Sequence, residues 1–330
     1  MRILIIILLF ALTCCRDASK IERDIKTTSI SKEFEINGEK DTSIYKVGEL
    51  INNKSGLIVP DMLDYKIKLF DNNGAYRSSF GGKGNSPGNF EKSPCKLAYD
   101  SLSRRLAVYE YTSSHIQNFN DKLKQISEIM LRGPISGLQF DNKSNLITAY
   151  LFVHAGIQYF NIWDLSGNNI LSFNPSHLDD SGLLNIFKFS FNKQLNKIIV
   201  MYLYRNLIQV YDKNGNLEKE FSLSFLPKLS ETRMENIKTP VGTMQNKFPL
   251  HYMFHDVSTD NTGKIYLLAG YYSPNGGERK IIYVVNIDGT VLNKIVLDTR
   301  ANSIFCGDNN CLFTVSEKQN IITKYRINEK

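Results

Sequence analysis

A strand–turn–strand unit that recurs at intervals near 45 residues, almost continuously apolar strands inside each unit, and turns rich in Asp, Asn and Gly between them predict an all-β chain. The architecture they imply is a six-bladed β-propeller of four-stranded antiparallel blades. Each unit ends its third strand on an aromatic or aliphatic residue followed by a polar one: Phe70-Asp71, Phe119-Asn120, Trp163-Asp164, Tyr211-Asp212, Val285-Asn286 and Tyr325-Arg326. The polar members follow one another at steps of 49, 44, 48, 74 and 40 residues. Four steps fit a four-stranded blade, and the long one holds an insertion.

The first unit is the most explicit. Tyr65, Ile67 and Leu69 alternate with lysines, Asp71-Asn72-Asn73-Gly74 supplies turn residues that tolerate positive φ, and residues 76–80 run back before a glycine-rich exit through Phe90. The second unit is read as strands at residues 94–100, 104–111, 115–120 and 124–131. The third has 135–141, 146–152, 157–164 and 169–173, the fourth 187–192, 197–204, 207–212 and 217–223, and the fifth 255–260, 264–270, 280–286 and 291–298. Second strands such as Lys197-Ile198-Ile199-Val200-Met201-Tyr202 are apolar throughout, as expected for strands covered on both faces. The last unit offers only 301–306, 311–317 and 321–327. A three-stranded unit leaves an open edge, so residues 29–36 (SISKEFEI) are expected to supply its fourth strand and close the ring.

The run of Ile67, Phe70, Asp71 and Gly74, then Phe80-Gly81-Gly82, Gly84, Pro87, Gly88 and Phe90, resembles NHL-type six-bladed propellers, and most closely the bacterial secreted six-bladed β-propeller lipoproteins. Later units keep the period with degenerate exits such as Leu131-Arg132-Gly133-Pro134. The resemblance implies a fold more than a function, because propellers host enzymes, receptors and scaffolds alike.

The N-terminus reads as a targeting signal. Arg2 precedes an apolar run over residues 3–12, too short to span a bilayer and suited to a signal-peptide core. Leu12-Thr13-Cys14-Cys15 resembles the bacterial lipobox, with Cys15 as the lipidated residue; Cys14 as acceptor, or secretion without lipid, are the alternatives. Residues 1–14 are then a lipoprotein signal peptide, 15–28 a tether and 29–330 the propeller. The expected location is the cell envelope, periplasmic or outer-surface, with the membrane reached through the anchor. Cys95 is expected to be buried packing. Cys306 and Cys311 flank a four-residue turn, and a disulfide between them is expected in an oxidising compartment.

The formal net charge of +7 is spread over every unit, with no concentrated basic run, which argues against nucleic acid as a partner. Asp212-Lys213-Asn214-Gly215-Asn216 imitates a calcium loop, but Gly stands fourth and Leu223 twelfth, so a turn is the expected role. No phosphate loop, nucleophile elbow or metal-binding helix motif occurs. No cofactor and no catalytic residue is assigned, and a monomer is expected. The insertion, residues 224–250, joins the fourth unit to the fifth on the top face, where propellers usually bind ligands. His115, His154, His177, Arg205, His251, His255 and Tyr271 map to that face as candidate ligand-binding residues. The favoured function is binding of a peptide, glycan or partner protein. The alternative, implied by the resemblance, is a metal-assisted lyase or hydrolase holding a metal with histidines from several blades. A general acid–base pair such as His255 with Asp256 is a further candidate. The lipobox reading predicts that mass spectrometry of detergent-extracted protein finds an acylated N-terminal Cys15; a soluble product beginning elsewhere contradicts it.

Overall fold

The computed structural model describes residues 21–41, 44–152, 157–175, 182–239, 242–271, 278–307 and 309–328. Strand β1 is Thr27–Asn37. The first sheet is the meander β2–β5 (Ile51–Asn53, Gly56–Asp61, Lys66–Phe70, Tyr76–Gly81), and the second is β6–β9 (Pro94–Asp100, Arg105–Glu110, His115–Phe119, Gln125–Met130). The third is β10–β13 (Ile135–Phe140, Leu146–Phe152, Ile157–Trp163, Asn169–Phe173), and the fourth β14–β17 (Phe187–Asn192, Lys197–Tyr202, Ile208–Asp212, Leu217–Phe221). A separate hairpin, β18 (Thr232–Thr239) with β19 (Gly242–Pro249), follows. The fifth sheet is β20–β23 (Phe254–Thr259, Ile265–Ala269, Ile281–Val285, Val291–Val296), and the sixth is β24–β26 (Ala301–Gly307, Cys311–Ser316, Ile321–Asn328). Strand β1 joins these last two into one eight-stranded sheet in the order β20-β21-β22-β23-β1-β26-β25-β24. The innermost strands are neighbours in the order β2, β6, β10, β14, β20, β24 and back to β2.

Turn chemistry accounts for the regularity of the meanders. At each of Asp71, Asn120, Asp141, Asp164, Asp212 and Asp260 one side-chain oxygen accepts backbone N–H groups two and four residues on, at 2.7–3.0 Å. The N–H groups of Ala75 and Asn73 hold the Asp71 carboxyl below the usual range. The oxygen of Asp212 that imitates a calcium ligand is consumed in this way, so the segment is a turn. Gly74, Gly167, Gly215 and Gly289 close equivalent turns at φ between +82° and +88°. In the second sheet Leu123 takes that place at φ +60°, a strained conformation for a side chain.

Between successive sheets lie apolar clusters. Ile67, Phe90, Leu106 and Phe119 pack the first sheet on the second; Ile36, Val59, Phe70, Phe313 and Ile322 pack the sixth on the first. Each fully buried large side chain contributes roughly 1.5–3 kcal/mol. Trp163 belongs to the cluster between the second and third sheets, its Nε1 donating to Thr148 Oγ1 at 3.0 Å. Inside the sheets one polar position recurs on the third strand: Lys68, Gln117, Asn161, Gln209, Tyr283 and Thr323 are all buried. Several find their partner seven residues back on the preceding strand: Lys68 on Asp61 at 2.8 Å, Gln117 on Glu110 at 3.1 Å, and Gln209 accepting from the Tyr202 hydroxyl at 2.9 Å. Lys68 and Gln209 are thereby bonded within their own sheet, as burial requires.

Three expectations need correction. Residues 29–36 do pair with β26, from Ser29↔Asn328 to Asn37↔Ile321, but the register slips between Lys32 and Phe34. That bulge changes the inward face midway. Ile30 packs with Tyr325 and Ile327 toward the fifth sheet, and Phe34 and Ile36 pack toward the first, whereas in a regular strand all three would share one face. Part of the segment expected to be tether is also packed: Thr27 and Thr28 pair in parallel with Lys294 and Ile295, and Glu22, fully buried, accepts from Lys294 Nζ at its backbone carbonyl (2.8 Å) and from the Tyr283 hydroxyl (3.4 Å). Finally, Cys306 and Cys311 are free thiols. The hairpin pairs Gly307 with Cys311 and Cys306 with Leu312, so the two side chains leave opposite faces of the sheet. One enters the cluster against the fifth sheet and the other the cluster against the first. Residues 1–20, with Cys15, lie outside the described residues. Among the described residues no helix is long and apolar enough to cross a membrane.

Removal of residues 1–20 is predicted to leave the melting temperature unchanged. Removal through Asn37 exposes the β26 edge and two apolar clusters and is predicted to cost more than about 4 kcal/mol. Chemical denaturation of the two truncations beside the full chain checks this.

Candidate functional site

The site is built on the starts of the innermost strands. In β6, β10, β20 and β24 the pairing with the next strand skips one residue, at Cys95, Ser136, His255 and Asn302. A bulge of this kind re-aims the following side chains. It turns Asp256 and Ser303 onto a central channel of about 660 Å³ that is lined by all six innermost strands. At the end where these strands begin, charges from separate segments meet. Lys188 on β14 donates to Asp256 Oδ1 on β20 at 2.9 Å, and the N–H of Ile304 on β24 donates to Asp256 Oδ2 at 2.8 Å. Lys96 on β6 is paired with Glu49, which precedes β2. Burial pushes the Asp256 carboxyl up; the Lys188 ammonium opposes this and the Glu49 charge reinforces it. Burial pulls the Lys96 ammonium down, but Glu49 and the more distant Asp256 leave it raised on balance. Glu49, Lys188 and Asp256 line the channel, and Lys96, paired with Glu49 beside it, completes an alternating set of two carboxylates and two ammonium groups, partly desolvated.

Beside this mouth the sequence-predicted residues divide. Tyr252 stacks on Tyr204 at 4.9 Å and lies 4.7 Å from His255, and His251 stacks on Tyr271 at 3.8 Å. These are two ring pairs side by side, joined by the Tyr271 N–H donating to the Tyr252 carbonyl at 2.9 Å, with Tyr271 half exposed. Arg205 follows Tyr204 and forms a backbone bridge with Leu229. His115 belongs to a different cavity, on the second sheet, with its Nε2 3.3 Å from Glu110. His154 and His177 lie outside the described residues. The insertion, expected as a loop, contains the β18–β19 hairpin. Its charged and polar residues gave no turn signal strong enough to announce two strands.

His255 and Asp256 do not form a pair with each other. The bulge sends Asp256 to Lys188, while His255 Nε2 accepts from Arg279 Nε at 3.0 Å, and Arg279 also bridges to Glu317 at 2.9 Å. Burial, with the Arg279 and Lys188 charges adding to it, pushes the His255 imidazole down to about 3. Its lone pair is thus engaged, and it stays neutral at ordinary pH. Among the described residues no group of three or more His, Cys, Asp or Glu side chains is placed to hold a metal. Sequence reasoning missed Glu49, Lys96 and Lys188. Their signal was faint: Lys188 and Lys96 stand at the second and third positions of innermost strands, and Glu49 precedes one.

Consecutive meanders around a central channel define a β-propeller. No protein-family model matches the chain, and no curated protein sequence matches it. Solved structures do. The β-propeller domain of Cps50 (Swd1) from Myceliophteria thermophila aligns with a TM-score of 0.56 at 10% identity, over 91% of this chain and 100% of that one. Virginiamycin B lyase from Staphylococcus aureus gives 0.55 at 11% identity, over 91% and 100%. A streptogramin B lyase gives 0.55 at 12%, over 91% and 98%. At such identities the likeness is one of fold alone.

A group whose folded pKa lies below its unfolded value stabilises the fold above the unfolded value and loses that contribution as pH falls. For His255 the window runs from about 6.5 down to about 3. Unfolding free energy is predicted to fall through that window, by an amount of the order of a few kcal/mol from this group. His255→Gln, which keeps an acceptor for Arg279 without titrating, is predicted to flatten the profile; identical pH profiles for the two proteins contradict the assignment.

Proposed function

We propose that this chain is a lipid-anchored envelope protein of the NHL-like six-bladed kind, with β1 as the closing strand, and that its channel mouth binds a peptide. The cyclic order of the innermost strands and the clusters between successive sheets support six blades. The observation that carries the binding role is the meeting of Glu49, Lys188 and Asp256 on the channel, with Lys96 paired to Glu49 beside it. Buried ion pairs between separate sheets cost desolvation and add little net stability. Perturbed charges in a cavity therefore point to function. A site presenting both signs of charge matches a peptide, which offers both, better than a neutral glycan. The adjacent Tyr252, His251 and Tyr271 rings extend the surface for side chains of the ligand. The alternative role as a metal-assisted lyase gains no support from His255, whose Nε2 is committed to Arg279.

The test is calorimetric titration with short zwitterionic peptides and with neutral oligosaccharides, on the wild type and on the Lys188→Met/Asp256→Asn double variant. Both members of the pair are removed together, so the fold is predicted to keep its stability within about 1–2 kcal/mol. Peptide affinity is predicted to fall at least tenfold. Peptide binding that ignores the double substitution, or binding of oligosaccharide alone, contradicts the proposal.

A further inference from the structure

We propose a second binding site, for an alkylammonium group, between the exit loop of the first sheet and strands β8 and β9 of the second. A cavity of about 390 Å³ lies there, and it shares no lining residue with the central channel. Its loop wall is fixed. Phe90, fully buried, donates its N–H to the Gly82 carbonyl at 2.8 Å, Gly84 donates to the Phe90 carbonyl at 3.1 Å, and Gly88 donates to Gln125 Oε1 at 2.7 Å.

The floor carries the decisive group. Gln117 is 4% exposed, and its Nε2 donates both to the Asn89 carbonyl at 2.9 Å and to Glu110 Oε1 at 3.1 Å. Both partners are pure acceptors, so the orientation of the amide is settled. Its Oε1 is then left buried without a hydrogen-bond partner. Glu110 cannot relieve it, being an acceptor already engaged by the Lys92 N–H at 2.6 Å and facing His115 Nε2.

The rim repeats the same polarity. Glu91 and Glu128 are exposed carboxylates, Asn85, Ser86 and Asn89 add oxygens, and no Lys or Arg lines the cavity among the described residues. Pro87 and the half-exposed Ile126 provide an apolar flank. An open buried acceptor asks for a donor, two carboxylates ask for positive charge, and the apolar flank suits a methylene stem. Those three requirements together describe an alkylammonium group. A neutral sugar would leave the carboxylates unused. A calcium ion needs six or more converging oxygens, commonly several carboxylates, and no group of three metal-ligating side chains is gathered here.

A primary amine can reach the site as a free diamine or polyamine, or as a lysine side chain of another protein. The experiment titrates the full chain with 1,5-diaminopentane, with N-acetyl-lysinamide, with calcium chloride and with glucose. One-to-one binding of either amine is expected, weakened at least tenfold in Glu91→Gln/Glu128→Gln and lost in Gln117→Leu. The tighter of the two amines identifies the source, and either result supports the site. Both glutamates are exposed, so the double variant keeps its melting temperature and carries the test if Gln117→Leu fails to fold. Absence of amine binding, amine binding unchanged in the double variant, or equal binding of calcium or glucose overturns the assignment. The channel variant Lys188→Met/Asp256→Asn is expected to bind the amines as the wild type does, which separates failure of this site from failure of the channel reading.

Discussion

Strand β1 is hydrogen-bonded along both edges, antiparallel to the whole of β26 and, at its first residues, parallel to β23. Every other sheet is a local meander whose strands are neighbours in sequence, held by short turns and by side chains seven residues apart. The contacts of β1 instead span nearly the full chain. Without them β26 would present an open edge, and the apolar clusters on either side of the sixth sheet would lose Ile30, Phe34 and Ile36. The bulge after Lys32 is what lets one strand serve both clusters. Loop-closure entropy is recovered only when this last, most distant pairing forms. The geometry therefore makes the two chain ends interdependent while leaving the individual sheets locally determined.

Buried polarity falls into two kinds, and the difference separates scaffold from site. Lys68, Gln209 and Tyr283 are buried on third strands and bonded within their own sheet or to the N-terminal segment packed on it. They pin register, because a slip of one residue would turn each into the wrong face. Asp256 and Lys188, by contrast, are bonded across sheets at the channel mouth. Nothing in strand pairing needs them there. Gln117 belongs to the first kind by position yet keeps one oxygen open, which is why it stands out among its equivalents.

The fold was legible because period, turn chemistry and apolar strands agreed. β6 and β14 begin and end where alternation and the flanking turns place them, and the side chains of Asp71, Asp164 and Asp212 do what their position before the Asn/Gly turns implies. Other features were not legible, for identifiable reasons. The pairing of Gly307 with Cys311 shifts the hairpin by one residue from the symmetric turn that a Cys306–Cys311 bridge requires, and no residue in Gly307-Asp308-Asn309-Asn310 announces that shift. The β18–β19 hairpin is too polar to betray strands by alternation. The channel charges escaped because bulges, which follow no single residue type, decide where Lys96 and Asp256 point. His251 and Tyr271 were proposed from their place in the chain and His255 from its place at the start of an innermost strand, but Arg279, which keeps His255 neutral, comes from a connection that offered no such signal.

Native-state hydrogen exchange addresses the dependence on β1 most directly. If the strand closes the ring, the amides of Ser31, Phe34 and Ile36 exchange only through global unfolding, with the same free energy as those of Val200 and Leu267 in the covered second strands. Exchange of the β1 amides at a free energy several kcal/mol lower, with the β26 amides following them, would mean that the strand frays independently and that the sheets hold together without it.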